Sequence, residues 1–597
     1  MTKRSTRLIR LNLALSGFAA AMWAVMPADA RAPDPYDGSE VAPVTLPNGV
    51  IGNESLLKGG LGNLTPQTVR ITPRVWAILG RSIVNVFVVE GDTGLIVYDT
   101  GTNVVEGRAV HDQILEISSK PVKAIIYSHS HYTGGAGALI TKGVDASIIG
   151  TAEDNSRANN LGIGGEFPEL MPIQLQRGGE QMGVTLPATG PDAPVGDLID
   201  VSAPRAFLPV NLGVHDGQQL TVDGVRIQFF TAHTSDAPSL TAWFPDLSVI
   251  MNNFYWPVAA NLYAPRGDQF RDVRDWIAGV RQIRELRPDY VLTTHTAPLI
   301  GAAKIQDALQ LYIDYHQALL DQTLRGILKG LGPEDLRHFV RLPARFDSIR
   351  QGYAETLSWY PVALYQRALG WYSGDAADLN PVAPEVRSER LVTLLGGPVA
   401  TLRHAREAIG RKEWSWALEL VNYVVRSDRN NAQALETKAA LLRKLAQLTP
   451  ATISHNFYMA QARHIEGKMK RPVRQYLDWA LRAADPCVLL DQYRIRVLPE
   501  RTAEVSGNMA FSFADGRSCG FAIRPGLAEF IPSSRVASIR PAAILAVTNA
   551  DIARLYSGEV SMAGLVQSLP ANAISGDRSA ASALASVFEL MSRQEER

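Results

Sequence analysis

Cysteine is almost missing from this chain: Cys487 and Cys519 are the only two among 597 residues. Neither stands in a metal-binding or thiol-catalysis motif, so both read as structural. In an oxidising compartment they could pair, but sequence does not set their distance. An excess of either charge is also missing. Lys and Arg total 59 against 59 Asp and Glu, a net charge of +0. That removes the reason to expect a polyanionic partner such as nucleic acid. Beyond the first thirty residues no apolar run is long enough to span a bilayer, so no integral membrane segment is expected in the mature chain.

What is present suits a globular protein of several domains, with 46% hydrophobic and 20% charged residues. Met1–Ala30 has the form of a secretory signal. Lys3, Arg4, Arg7 and Arg10 make a basic end, an apolar stretch runs from about Leu11 to Met26, and Ala28-Asp29-Ala30 is an A-x-A cleavage site. The expectation is a periplasmic or secreted protein starting at Arg31.

The organising stretch is Val122–Gly135, VKAIIYSHSHYTGG. Val122–Tyr127 is a continuous apolar run, the pattern of a strand buried on both faces. His129 and His131 follow, two residues apart, so on extended chain they point the same way. They leave the carboxyl end of a buried strand, where open α/β sheets place their ligands, and neutral imidazole is a favoured zinc ligand.

Around this stretch, Val75–Leu79, Val84–Val89 and Leu95–Tyr98 read as strands, with EGDTG (Glu90–Gly94) as a turn and Asp99–Gly101 after the third. Val104–Ser118 reads as a helix. Gly134–Gly213, rich in Gly, Pro and Asn, is expected to be a long loop region shaping a cleft or a surface insertion. Val225–Thr231, Leu240–Phe244, Leu247–Met251 and Asp289–Thr294 read as further strands, and Arg271–Leu286 and Ile305–Lys329 as helices. Alternating strands and helices imply an α/β sandwich core. From about Ser388 amphipathic helices take over, and RKEWSWALELVNYVVRSDRNNAQALETKAALL resembles one tetratricopeptide-like hairpin, which cannot bury its own faces. From about Arg471 a β-hairpin signature appears, with Met509, Phe511 and Phe513 before Asp515–Gly516 and Cys519, Phe521 and Ile523 after it. Helices flank it, so a small α+β unit is expected.

His233 follows strand Val225–Thr231, with Asp236 three residues on, and His295 follows strand Asp289–Thr294. Four of eleven histidines, His129, His131, His233 and His295, thus stand at predicted strand ends, which points to a metal.

VFVVEGDTGLIVYDTG, AIIYSHSHYTGG, FFTAHTSDAPS and YVLTTH resemble successive strand-loop motifs of the metallo-β-lactamase superfamily. NLYAPRGDQFRD and LGWYSGDAADLNPVAP narrow the resemblance to its secreted alkyl sulfatases. The resemblance implies a signal peptide over 1–30, a metallo-β-lactamase αββα sandwich over 31–387, an all-α dimerisation domain over 388–470 and a small α+β sterol-carrier-like domain over 471–597. It also implies a homodimer. The superfamily motif is H-x-H-x-D-H, and its Asp and last His serve a second metal. Here Tyr132, Thr133 and Gly134 follow His131. The alkyl sulfatases have a Glu where Asn253 stands and another near Asp236. His233 matches the superfamily's general third histidine, and His295 the histidine that usually binds the second metal. Arg266 matches the arginine used on the sulfate group, and Asn261 a nearby asparagine. Tyr132 stands where the family has a small residue, and it would fill the emptied second-metal pocket.

The expected site therefore comprises His129, His131, His233, Asp236 and His295 toward metal, and Arg266, Asn261 and Tyr132 toward substrate. It should hold one Zn²⁺ per chain on three histidines, with a fourth position open for water. The implied activity is hydrolysis of alkyl sulfate esters by metal-activated water, on an amphiphilic small molecule. The alternatives are another hydrolase of the fold, a lactamase or phosphoesterase, and a catalytically impaired homologue that binds amphiphiles.

Overall fold

The computed structural model describes residues 42–56, 64–151, 154–155, 167–196, 203–231, 239–267, 270–468, 481–482 and 484–590. The expected signal, Met1–Ala30, lies outside them. Strands β1 (Gln67–Thr72), β2 (Val75–Leu79), β3 (Val86–Glu90) and β4 (Leu95–Tyr98) pair antiparallel in chain order. Helix α1 (Val104–Ile117) then returns the chain, and β5 (Val122–Ile126) joins parallel to β4. Its N-cap is Asn103, whose side chain accepts from the N–H groups of Val105 at 2.9 Å and Glu106 at 3.0 Å. Strands β6 (Ser147–Gly150) and β7 (Leu212–Gly213) extend the parallel edge. Side chains alternate as the pleat requires: on β3, Phe87 and Val89 enter the inter-sheet core, while Val86 and Val88 face α1.

The stretch Gly134–Gly213 is not loop throughout, because β6 and helix α2 (Met171–Gln181) lie in it. Ser147–Gly150 is too short for periodicity to show, and α2 contains Gly178 and Gly179, poor helix formers. Tertiary contacts hold α2 instead: Gln181 donates to the Tyr353 hydroxyl at 2.9 Å, and Asn456 donates to the Gln181 carbonyl at 3.0 Å.

The second sheet runs β8 (Gln219–Val222), β9 (Val225–Phe230), β10 (Thr241–Phe244), β11 (Val249–Asn252), β12 (Tyr290–Thr293) and β13 (Leu299–Ile300), again in chain order. Helix α3 (Val273–Glu285) is the crossover that makes β11 and β12 parallel. Phe87, Tyr98, Ile126, Phe229, Phe244 and Met251 fill the space between the sheets. The first sheet is covered by α1, and the second by α3 and α4 (Ala302–Leu328) through Trp276, Ile277 and Tyr312. This is the four-layer αββα sandwich.

Helices α5 (Pro333–Phe339), α6 (Thr356–Leu369), α7 (Pro384–Leu394), α8 (Pro398–Gly410), α9 (Trp414–Ser427), α10 (Ala432–Leu448) and α11 (Thr452–Ile465) form the helical region. Helix α11 has no amphipathic stripe to announce it, because eight of its 14 residues are buried, Ser454, His455 and Asn456 among them. Beyond it, β14 (Gly507–Ser512), β15 (Ser518–Arg524), β16 (Leu527–Ile531), β17 (Ala543–Ala546) and β18 (Ile574–Gly576) make a five-stranded sheet packed with helices. The expected hairpin is β14–β15, with Phe511 opposite Cys519. Cys487 and Cys519 form a disulfide, with Cα atoms 5.9 Å apart. Among the described residues no helix is long and apolar enough to cross a membrane.

Candidate active site

The candidate side chains leave the carboxyl ends of parallel strands. Strand β5 runs out through Tyr127 and Ser128 to His129, and the chain then turns once in a 3₁₀ helix, Ser130–Tyr132. Strand β12 delivers Thr294 and His295 from the other sheet. Asn85 pins that end: its N–H donates to the Thr294 carbonyl at 2.6 Å, and its amide to those of Thr293 at 3.0 Å and Thr296 at 2.8 Å. The two ends meet. The His129 ring centroid lies 4.8 Å from that of His131 and 4.3 Å from that of Tyr132, and Tyr132 lies 5.4 Å from His295.

Hydrogen bonding fixes the form of His295. Its Nδ1 is 3.2 Å from the Ile83 carbonyl oxygen, which can only accept, so Nδ1 carries the hydrogen. Its Nε2 then accepts, and the Tyr132 hydroxyl 2.9 Å away donates. Tyr132 therefore occupies the lone pair with which His295 would bind a metal. His129 is buried, with Nδ1 3.0 Å from the Ser128 hydroxyl. Burial holds its pKa well below the ordinary histidine value, and His131, His295, Arg271 and Arg266 add to the effect. It is thus the neutral imidazole that ligation requires. Arg266 and Arg271 belong to the loop that leads into α3.

That loop is held from behind. His316 on α4 accepts from the Ala260 N–H at 3.1 Å, and Thr356 donates to the Ala260 carbonyl at 2.8 Å. Arg271 donates to the Asn261 carbonyl at 2.5 Å. The Asn261 amide, oriented to satisfy both its atoms, accepts from Arg271 at 3.0 Å and donates to the Tyr263 carbonyl at 3.2 Å. Asn261 thus shapes the loop that bears Arg266, and Arg266 itself is half-buried.

Asp99, at the end of β4, is buried at the base of the site, its Oδ1 accepting from the Ser128 N–H at 2.8 Å. Its Oδ2 has no hydrogen-bond partner among the described residues, and burial pushes the carboxyl pKa up to about 8.

His233 and Asp236 lie outside the described residues. The described chain resumes at Ser239, and the Leu240 N–H donates to the Ser128 carbonyl at 2.7 Å, next to His129. Among the described residues no group of three His, Cys, Asp or Glu side chains is placed to hold a metal ion. His129 and His131 are two of the three or four ligands that one ion needs. Among the described residues no donor set for a second ion is assembled. Tyr132 engages His295, and the side-chain Oδ1 of Asn253 accepts from the Thr294 hydroxyl at 2.6 Å. Gly134 is pressed onto the β4–α1 turn, where a Cβ would lie 2.0 Å from the Thr102 carbonyl oxygen.

Sequence reasoning passed over Asp99, Arg205, Arg271 and His316. Asp99 follows a strand end as the histidines do, and that signal was available. The other three come from a loop (Arg205), the segment just before α3 (Arg271) and helix α4 (His316), and only the fold brings them to the site.

Residues 79–251 match the model of the metallo-beta-lactamase superfamily, and residues 333–468 that of alkyl sulfatase dimerisation. A linear primary-alkylsulfatase of a Pseudomonas species is 28% identical over 463 residues, covering 74% of this chain and 87% of that one. An (R)-specific secondary-alkylsulfatase of Pseudomonas is 27% identical, over 80% of this chain and 74% of that one. Among solved structures, a stereoselective inverting sec-alkylsulfatase from Pseudomonas superposes with a TM-score of 0.69 at 22% identity, covering 92% of each chain.

Proposed function

This chain belongs to the alkyl sulfatase family of the metallo-beta-lactamase superfamily, and we propose that it hydrolyses alkyl sulfate esters at a centre holding one zinc ion. The observation that carries this reading is the gathering of His129 and His131 at the carboxyl ends of the strands, their ring centroids 4.8 Å apart, with Tyr132 and His295 against them. His129, His131 and His233 are the ligands in this reading, with Asp236 as a further candidate donor, and His295 is withdrawn by Tyr132. A zinc ion there would supply Lewis-acid polarisation and bring the pKa of water to about 7.

The chain's own residues do the rest. Arg266 matches the negative charge of the sulfate group, and its planar fork gives two parallel hydrogen bonds to a tetrahedral oxyanion. Asn261 and Arg271 set the loop's shape, and His316 keeps it against α4. The apolar part of the ester is assigned to an open pocket of about 450 Å³ beside Pro265, where Tyr263, Trp359, Val362, Ala363 and Phe457 stand together with the charged Glu334 and Arg337. It lies between the Arg266 loop and helices α5, α6 and α11.

The protein acts as a homodimer in the periplasm or outside the cell. The dimerisation match supports the first, with apolar side chains left open in the single chain: Trp371 is 66% exposed, Val399 74% and Leu394 83%. The Cys487–Cys519 disulfide, together with the signal-like Met1–Ala30, supports the second.

Steady-state kinetics of Arg266→Ala and Arg266→Lys test the reading. Removing one partner of a buried charge pair costs ~3–5 kcal/mol. Arg266→Ala should thus lower kcat/KM on a long-chain alkyl sulfate by roughly a hundredfold or more, and Arg266→Lys should recover part of it. Wild type that turns over a β-lactam and ignores the sulfate ester, or an Arg266→Ala enzyme with intact sulfate turnover, would refute it.

A further inference from the structure

The turn that carries His131 lacks the two metal ligands its motif usually contains, yet hydrogen bonds from three sides hold it. The Tyr132 carbonyl accepts from the Thr100 N–H at 3.1 Å and from the Thr100 hydroxyl at 2.7 Å. The Thr133 hydroxyl donates to the Ser130 carbonyl at 3.0 Å. One charged group joins them. A terminal nitrogen of Arg205 lies 3.2 Å from the Thr133 hydroxyl and 3.4 Å from the Ser130 carbonyl oxygen, so a single guanidinium spans both sides of His131.

The placement of Arg205 is determined by its backbone neighbours. The Pro204 carbonyl accepts from the Val104 N–H at 2.9 Å, the Ala206 N–H donates to the Gly134 carbonyl at 2.7 Å, and the Ala206 carbonyl accepts from the Gly137 N–H at 2.7 Å. Residues 204–206 therefore run beside 134–137, with Arg205 against the turn. Its Nε is buried without a hydrogen-bond partner, and among the described residues it makes no salt bridge. Burial desolvates this guanidinium, which costs free energy that its hydrogen bonds to the turn offset in part.

We propose that Arg205 is a positioning residue for the metal site: its guanidinium clamps Ser130 and Thr133 and so holds His131 in line with His129, doing for the turn what a second ion and its ligands would otherwise do. This rests on the one-metal reading above.

The test uses the full-length protein, stripped of metal, with zinc affinity measured by competition against a chromophoric chelator. Arg205→Met keeps most of the side chain and removes the clamp. Loss of an outer-shell partner typically weakens metal binding by ~10–100-fold, and that is the expected fall. The thermal midpoint of the metal-free Arg205→Met protein should stay about level, because the loss of two hydrogen bonds is offset by removal of a desolvated charge. Arg205→Lys, which keeps the charge but not the fork, should recover part of the affinity. Unchanged zinc affinity in Arg205→Met would overturn the proposal. So would a metal-free midpoint that falls in step with affinity, since that marks a merely structural arginine. If Arg205→Met does not fold, Arg205→Lys decides, its affinity lying below wild type or not. Wild type that binds no zinc at all would instead overturn the metal reading itself.

Discussion

Restoring the missing ligands should fail, and the structure says by how much. The double variant Thr133→Asp, Gly134→His rebuilds the Asp and His of the second-metal motif. A Cβ at residue 134 would sit 2.0 Å from the Thr102 carbonyl oxygen and 2.9 Å from Arg205 Nε. Carbon–oxygen contacts rest at ~3.3 Å or more, so the turn must retreat by about 1.3 Å. Overpacking of this kind costs ~1–3 kcal/mol. Losing the hydrogen bond that the Thr133 hydroxyl donates to the Ser130 carbonyl adds ~1 kcal/mol. A misplacement of ~1 Å at a reacting centre can cost about a hundredfold in rate. The variant should therefore show a lower thermal midpoint, no second equivalent of zinc by elemental analysis after dialysis, and sulfatase activity lower by about a hundredfold. Two tightly held equivalents with an undiminished midpoint would refute this packing argument.

Two further outcomes are expected. His316 donates from Nδ1 to the Tyr312 carbonyl at 2.8 Å and accepts at Nε2 from Ala260, and burial pushes its pKa down to about 4. The unfolded chain, with an ordinary histidine pKa of ~6.5, takes up the proton first, so this contribution is whole above that pH and is lost as pH falls toward 4. At ~1.36 kcal/mol per unit that is on the order of 3 kcal/mol, and urea midpoints between pH 7 and 4.5 should fall more steeply for wild type than for His316→Gln; parallel slopes would count against it. Ala363→Phe, which fills part of the cavity beside Pro265, should raise KM for long-chain esters by about tenfold, the worth of roughly two buried methylenes, and leave kcat on a short ester unchanged. Equal effects on both chain lengths would place the tail elsewhere.

The sandwich was legible in the sequence because its strands are short, apolar and punctuated: Val75–Leu79 and Leu95–Tyr98 are strands as read. His129, His131 and His295 could be gathered because each follows a strand end, and the parallel pairs β4–β5 and β11–β12 bring those ends to one edge. What escaped had no local signal. Helix α2 is held by Tyr353 and Asn456 rather than by its own residues, and α11 is buried too completely to show a stripe. Arg205 and His316 look like any other arginine and helical histidine until the fold sets one against Thr133 and the other against Ala260. The bonds of Asn261 within its own loop, to Arg271 and Tyr263, likewise had no signal in the sequence.

The central claim is one zinc ion serving a sulfate-ester hydrolase, and a single titration tests it. Metal-free protein is titrated with zinc while release of sulfate from a long-chain alkyl sulfate is followed. The account predicts that turnover rises linearly and levels off at one equivalent per chain. A plateau only at two equivalents, or no sulfate release at any zinc concentration, would contradict it.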